Sequence, residues 1–197
     1  MLPEDIDPVS RCRVPLPRRE DMDEAGAAVF DTYVDPNGGT IRGLHGPGGI
    51  RLHSPKYSEI SRPPNKYLRF QSGVTPRQRE VAILITAREC NSPFEWAAHE
   101  REGRSCGVPE AAIDAIKFRR PLDGLPEEDA VIIQLGRETF GLNKASSATY
   151  KRAVEHFGIK MLVDIVSLMG SYAATAALLC VFDMQLDEGE TRLLPPA

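Results

Sequence analysis

The sequence predicts an all-α fold, and three observations carry that prediction. Apolar residues recur at three- and four-residue spacing through most of the chain, two segments open with helix-start signatures, and no stretch alternates as a half-buried strand would. With 197 residues, 42% hydrophobic and 26% charged, the chain suffices for one ordinary soluble domain with a sizeable core. The expected organisation is an extended arm over residues 1–20, a single helical domain over 21–186 and a polar tail over 187–197.

Pro3, Pro8, Pro15 and Pro17 stand among charges, so the arm is expected to lie on the surface or on a neighbouring subunit. In residues 21–34, Met22, Ala25, Val29, Phe30 and Tyr33 fall at helical spacing, and Asp35-Pro36-Asn37-Gly38-Gly39 ends the helix with turn chemistry. Residues 37–55 hold six glycines and two histidines but neither G-x-x-x-x-G-K-S/T nor G-x-G-x-x-G, so no phosphate cradle is expected. The segment reads as a connector, or as a loop whose backbone approaches a ligand closely. Ser54-Pro55 opens a further helix, which Pro63-Pro64 is expected to interrupt before residues 65–71 resume it.

Thr75-Pro76-Arg77-Gln78 is a capping box, with Thr75 as N-cap and Gln78 reaching back. The helix behind it runs to about residue 89, and Val81, Ala82, Ile83, Leu84, Ile85 and Ala87 are apolar on nearly every side, which predicts burial. Ser92-Pro93-Phe94-Glu95 repeats the capping signature, and Gly107 suits the left-handed end of that helix. Residues 109–118, 127–140 and 146–157 read as shorter helices, and an apolar helix over 159–184 closes the domain. Its stretch 165–182 lacks charge and approaches the ~20 apolar residues that span a bilayer. Its Ala, Ser, Thr and Gly content, its bounding Asp164 and Asp183 and the lack of a flanking basic cluster favour a buried central helix instead.

A net charge of −4 with scattered Lys and Arg leaves no footprint for nucleic acid or an anionic membrane. Cys12, Cys90, Cys106 and Cys180 form no C-x-x-C pair, and Met1-Leu2-Pro3-Glu4-Asp5 is no apolar signal, so a cytoplasmic setting is expected. Cys90 and Cys180 are read as small core residues, and no metal site or cofactor is expected.

Candidate chemistry lies in Glu80, Glu95 and His99. Glu80 shares a stripe with Ile83, Ala87 and Cys90 on a helix predicted to be buried, so its carboxylate must be paired or neutralised. Arg77, Arg79 or Arg88 can hold it inert; alternatively, desolvation lifts it toward the range useful for proton transfer. Glu95 occupies the third position of its capping box, where Glu commonly serves the cap alone, yet His99 lies one turn further on the same face. A carboxylate there stabilises the imidazolium and makes an acid–base pair.

These residues resemble the carboxymuconolactone decarboxylase and alkylhydroperoxidase D-like superfamily, small all-α proteins that assemble as trimers or hexamers. The likeness rests on Leu52-His53-Ser54-Pro55 with Leu68-Arg69-Phe70, and on Arg79-Glu80-Val81-Ala82-Ile83-Leu84 through Phe94-Glu95-Trp96-Ala97-Ala98-His99; it covers roughly residues 21–186. In the peroxidase branch a glutamate is followed twelve residues later by C-x-x-C, and a histidine lies four residues beyond the second cysteine. Those positions are Glu80, Ser92, Glu95 and His99 here, so the glutamate and histidine match and both thiols are absent. A serine at the helix start can be neither oxidised nor paired in a disulfide.

The resemblance therefore implies the decarboxylase-like branch: an oligomeric, cofactor-free lyase acting by acid–base chemistry on a small organic acid or lactone. His99, its charge set by Glu95, is then the proton donor or oxyanion partner, and Glu80 a second proton-transfer or orienting group. His53 and Arg51 are candidates to hold a substrate carboxylate, and Trp96 to form an apolar wall. Isomerisation and hydrolysis stay open beside decarboxylation. The alternatives are a thiol peroxidase working through Cys90 or Cys106, and a non-catalytic oligomeric binding protein in which Glu80, Glu95 and His99 only satisfy one another.

Overall fold

A computed structural model describes residues 2–37 and 41–196; the expected turn at Gly38-Gly39 lies outside the described residues. The fold is all-helical, with no strand among the described residues. Its contacts define two compact units, Met1–Asn65 with Ala177–Thr191, and Lys66–Ala176 with Arg192–Ala197.

In the first unit, helix α1 (Glu24–Val34) starts where the Asp23 carboxylate accepts the Gly26 N–H at 2.7 Å. It buries Val29 and Tyr33 against Leu52. Leu52 belongs to α2 (Pro47–Leu52), so the glycine-rich segment, read as a loop, contains a short helix. Pro47 supplies the preset first-turn backbone, and the glycines serve packing: a Cβ on Gly48 would stand 2.5 Å from the Gly43 carbonyl and 2.8 Å from the Tyr33 ring. Helix α3 (Pro55–Phe70) runs through Pro63-Pro64 instead of breaking there. Both prolines are exposed, as are Glu59 and Ile60, so water can bond the carbonyls that lose an N–H partner.

The N-terminal arm is bound within its own chain. Ile6 and Cys12 are buried, Arg13 N–H donates to the Phe182 carbonyl at 2.9 Å, and Arg11 O accepts from Gln185 N–H at 2.9 Å. Nor does the C-terminal segment hang free. Asp187 and Glu190 pair with Arg42 in the first unit, while Leu194 is 1% exposed in the core of the second.

The second unit is organised around α4 (Pro76–Glu89), where Val81 through Ile85 are completely buried, as their all-round apolar character predicts. Both capping-box bonds form: Gln78 N–H to Thr75 Oγ1 at 3.2 Å, and Thr75 N–H to Gln78 Oε1 at 3.0 Å. Around α4 pack α5 (Pro93–Ser105), α6 (Glu110–Lys117) and α7 (Glu127–Gly136), the last continuing into a π-turn over Arg137–Gly141. Gly107 takes the left-handed conformation beyond α5, as expected.

A last helical run, α8 (Ser147–Val181), is broken at Gly158, whose φ of 70° and ψ of 165° only glycine adopts at little cost. The break separates the two helices that the sequence predicts. Long and apolar enough to cross a membrane by length and composition, α8 is half-buried over its most apolar window. Ile165, Leu168 and Met169 face the core, whereas Ile159, Val163 and Val166 are exposed. The expectation of a buried central helix therefore holds for one face only. Cys180, read as a core residue, is exposed at the end of this helix, and Cys90 is only half-buried.

Candidate functional site

Glu80 is the fifth residue of α4 and His99 the seventh of α5, and close approach of the two helices lets them meet. A Cβ on Gly103 of α5 would already touch Leu84 of α4 at 3.1 Å, so glycine there sets the spacing. Across this contact Glu80 Oε2 lies 2.7 Å from His99 Nδ1. Glu80 Oε1 accepts from Arg79 Nε at 2.8 Å, which identifies Arg79 as its arginine partner. Arg77 turns instead to Asp129 and Glu128. The other imidazole nitrogen, Nε2, faces Glu95 Oε2 at 3.5 Å, an ion-pair distance longer than a good hydrogen bond.

All three sequence-predicted acid–base residues thus converge, and all are buried, at 1% exposure for Glu80, 5% for Glu95 and 3% for His99. Burial is the largest influence on His99 and favours the neutral ring. The bonds and charges of Glu80 and Glu95 together outweigh it and push the imidazolium pKa up to about 9. Burial likewise raises Glu80, but His99 and then Arg79 overcome it and hold the carboxyl below its ordinary value. At neutral pH the cluster is an imidazolium held by the Glu80 carboxylate, with Glu95 on its other side and a guanidinium behind Glu80.

The second capping box does not form. Ser92 is the N-cap of α5, yet its side chain makes no capping hydrogen bond. A buried carboxylate gains more from an imidazolium than from a neutral N–H, so Glu95 turns to His99. Trp96, read as an apolar wall, belongs to the packed interior. It is 0% exposed within the main core, and its indole N–H donates to Glu100 Oε2 at 2.5 Å, because the buried ring must place its N–H on an acceptor.

His53 and Arg51 belong to the first compact unit, at the end of α2, whereas the Glu80–His99 cluster belongs to the second. His53 is exposed and its Nε2 lies 2.9 Å from the Pro15 carbonyl, a contact with the N-terminal arm.

Two further residues join the cluster. Tyr172 of α8 presents its ring to His99 edge-on, with centroids 5.1 Å apart at 86°. Burial pushes its hydroxyl pKa up; Arg69 opposes this, while Glu95 and Glu80 add to it, so the phenol remains a proton-bearing donor. Nothing in the apolar run around Tyr172 distinguishes it in sequence. Arg79 also donates from Nη1 to the Arg69 carbonyl at 3.0 Å, and its Nη2 lies 3.9 Å from Cys106 Sγ. Its place beside Glu80 in the chain was the available signal. No group of three or more His, Cys, Asp or Glu poised to hold a metal ion occurs among the described residues.

What the arrangement can do is hold a charged imidazole in one orientation and lend its proton. The 2.7 Å bond to Glu80 fixes one nitrogen, while the looser Glu95 contact leaves the other displaceable. Comparison with known protein families, curated proteins and solved structures returns no match.

Proposed function

We propose that this chain is a cofactor-free acid–base enzyme of the carboxymuconolactone decarboxylase-like type, acting on a small organic acid or lactone. The observation that carries the reading is the buried Glu80–His99–Glu95 arrangement, with His99 charged and unequally held. In decarboxylation, the C–C bond to the carboxylate breaks, CO2 departs and its electron pair enters an enolate. His99 Nε2–H then neutralises the enolate oxygen or returns a proton to carbon, while Glu80 keeps Nδ1–H in place. Glu95 yields its contact to the substrate and afterwards re-forms it. Tyr172 is a second donor beside the ring.

The finer fold assignment belongs to this proposal: a helical bundle of the alkylhydroperoxidase D-like type, self-associating as a trimer or hexamer. The exposed Ile159, Val163 and Val166 on one face of α8 support self-association. Peroxidase chemistry through Cys90 is disfavoured, since burial and the charge of Glu89 push its thiol away from the reactive thiolate. The non-catalytic reading is favoured by one observation, the near-complete burial of the cluster.

The test is turnover of carboxymuconolactone and a panel of β-keto acids and lactones, followed by CO2 release and ultraviolet absorbance. Wild-type turnover falling about 100-fold or more in His99→Ala and in Glu80→Gln supports the enzyme. Variants that lose stability while no substrate is turned over by wild type support a binding role.

A further inference from the structure

The carboxyl end of α4 gathers more positive charge than its one acidic partner neutralises. Glu89, the last residue of α4, pairs through Oε2 with Arg119 Nη1 at 2.8 Å, its side chain 3% exposed. Its Oε1 is buried with no hydrogen-bond partner among the described residues. Arg88 beside it is 6% exposed; Nη1 reaches the Pro195 carbonyl at a long 3.4 Å, and Nε is buried without a partner. Arg192 comes to the same turn from the C-terminal segment, donating from Nη2 to Asn91 Oδ1 at 3.1 Å. Arg88, Arg119 and Arg192 thus stand about this turn, Arg137 also feels Glu89 and Arg119, and the guanidiniums outnumber the one carboxylate, to which the helix dipole adds only about half a negative charge.

Arg88 registers the imbalance. Burial, then the charge of Arg119, lower its pKa from the ordinary arginine value, against Glu89 and with a further contribution from Arg192. A buried guanidinium flanked by like charges is costly until an anion joins it, and the planar N–H forks of arginine match the paired oxygens of carboxylate and phosphate groups.

We propose that the turn after α4 is a binding site for a small oxyanion, a carboxylate or phosphate group, held by Arg88, Arg119 and Arg192. The ligand bridges the buried Arg88 and the exposed ends of Arg119 and Arg192, and its charge replaces the carboxylate that this cluster lacks. This site shares no residue with the Glu80–His99 cluster and does not rest on the catalytic proposal.

Thermal unfolding of the full chain tests it, in sodium phosphate or sodium succinate against sodium chloride at matched pH and ionic strength. The expected result is a saturable rise in Tm of about 3–6 °C at about ten times Kd, beyond any rise in chloride. Arg192→Gln, at an exposed position, keeps the wild-type Tm in chloride, whereas Arg119→Gln, which unpairs the buried Glu89, starts from a lower Tm in chloride; both abolish the added rise, which is read against each variant's own Tm in chloride. A response to phosphate alone identifies a phosphate group, and a response to succinate alone a carboxylate. No rise beyond chloride with either anion, or a rise that survives in the double variant Arg119→Gln/Arg192→Gln, overturns the proposal.

Discussion

Replacing Glu80 by Gln keeps the shape of the side chain and removes the charge that lies 2.7 Å from His99. In the wild type the imidazolium pKa stands at about 9 against 6.5 for the free side chain, which corresponds to about 3 kcal/mol in favour of the charged ring. Without Glu80, burial is opposed only by Glu95 at 3.5 Å, so the His99 pKa is expected to fall well below its wild-type value. The stability loss follows with a defined pH dependence. The raised His99 contributes fully below about pH 6.5 and fades as pH climbs through about 9, whereas the lowered Glu80 contributes above about pH 4.5 and fades in acid. Wild type and Glu80→Gln should therefore differ most, by about 2–3 kcal/mol, near pH 4.5–6.5, and the difference should shrink as pH climbs through about 9, leaving only what the Glu80–Arg79 pair contributes. Imidazole NMR titration, with the His99 resonance assigned by His99→Ala, and urea unfolding across pH are the assays. A wild-type His99 titrating near 6.5, or a pKa that stays near 9 in Glu80→Gln, would refute the reasoning.

The two helix starts make a paired prediction: Thr75→Ala should cost about 1 kcal/mol in urea unfolding because a formed capping bond is lost. Ser92→Ala should cost less, since the Ser92 side chain makes no cap bond; equal losses would contradict the geometry. A Cβ on Gly136 of α7 would stand 2.6 Å from Ile85 Cγ1, so Gly136→Ala should destabilise by about 1–3 kcal/mol, visible as a lower urea midpoint with unchanged slope.

Helical periodicity was legible wherever one residue type dominated a face or a start signal was local. The Thr75 capping box, the buried α4 and the break before Ile159 all depend on residues within a turn or two of one another. Reading failed where a distant partner decided. Exposure of Pro63 and Pro64 lets α3 continue through them, and the ring of Tyr33 together with the Gly43 carbonyl makes a glycine at 48 part of a packed helix instead of a loop.

The candidate site divides along the same line. Glu95 and His99 were neighbours by helical spacing alone, and Glu80 was marked by its place on an apolar helix. That Glu80 takes Nδ1, that Arg79 and not Arg77 or Arg88 stands behind it, and that Tyr172 meets the ring depends on how α4, α5 and α8 pack. Packing likewise assigned Trp96 to Glu100 and His53 to the Pro15 carbonyl. The sequence by itself determined an all-helical chain and the three acid–base groups, because periodicity and side-chain chemistry are local properties. Only the tertiary structure decided the charge and orientation of His99, because both arise from burial and from carboxylates that two different helices supply.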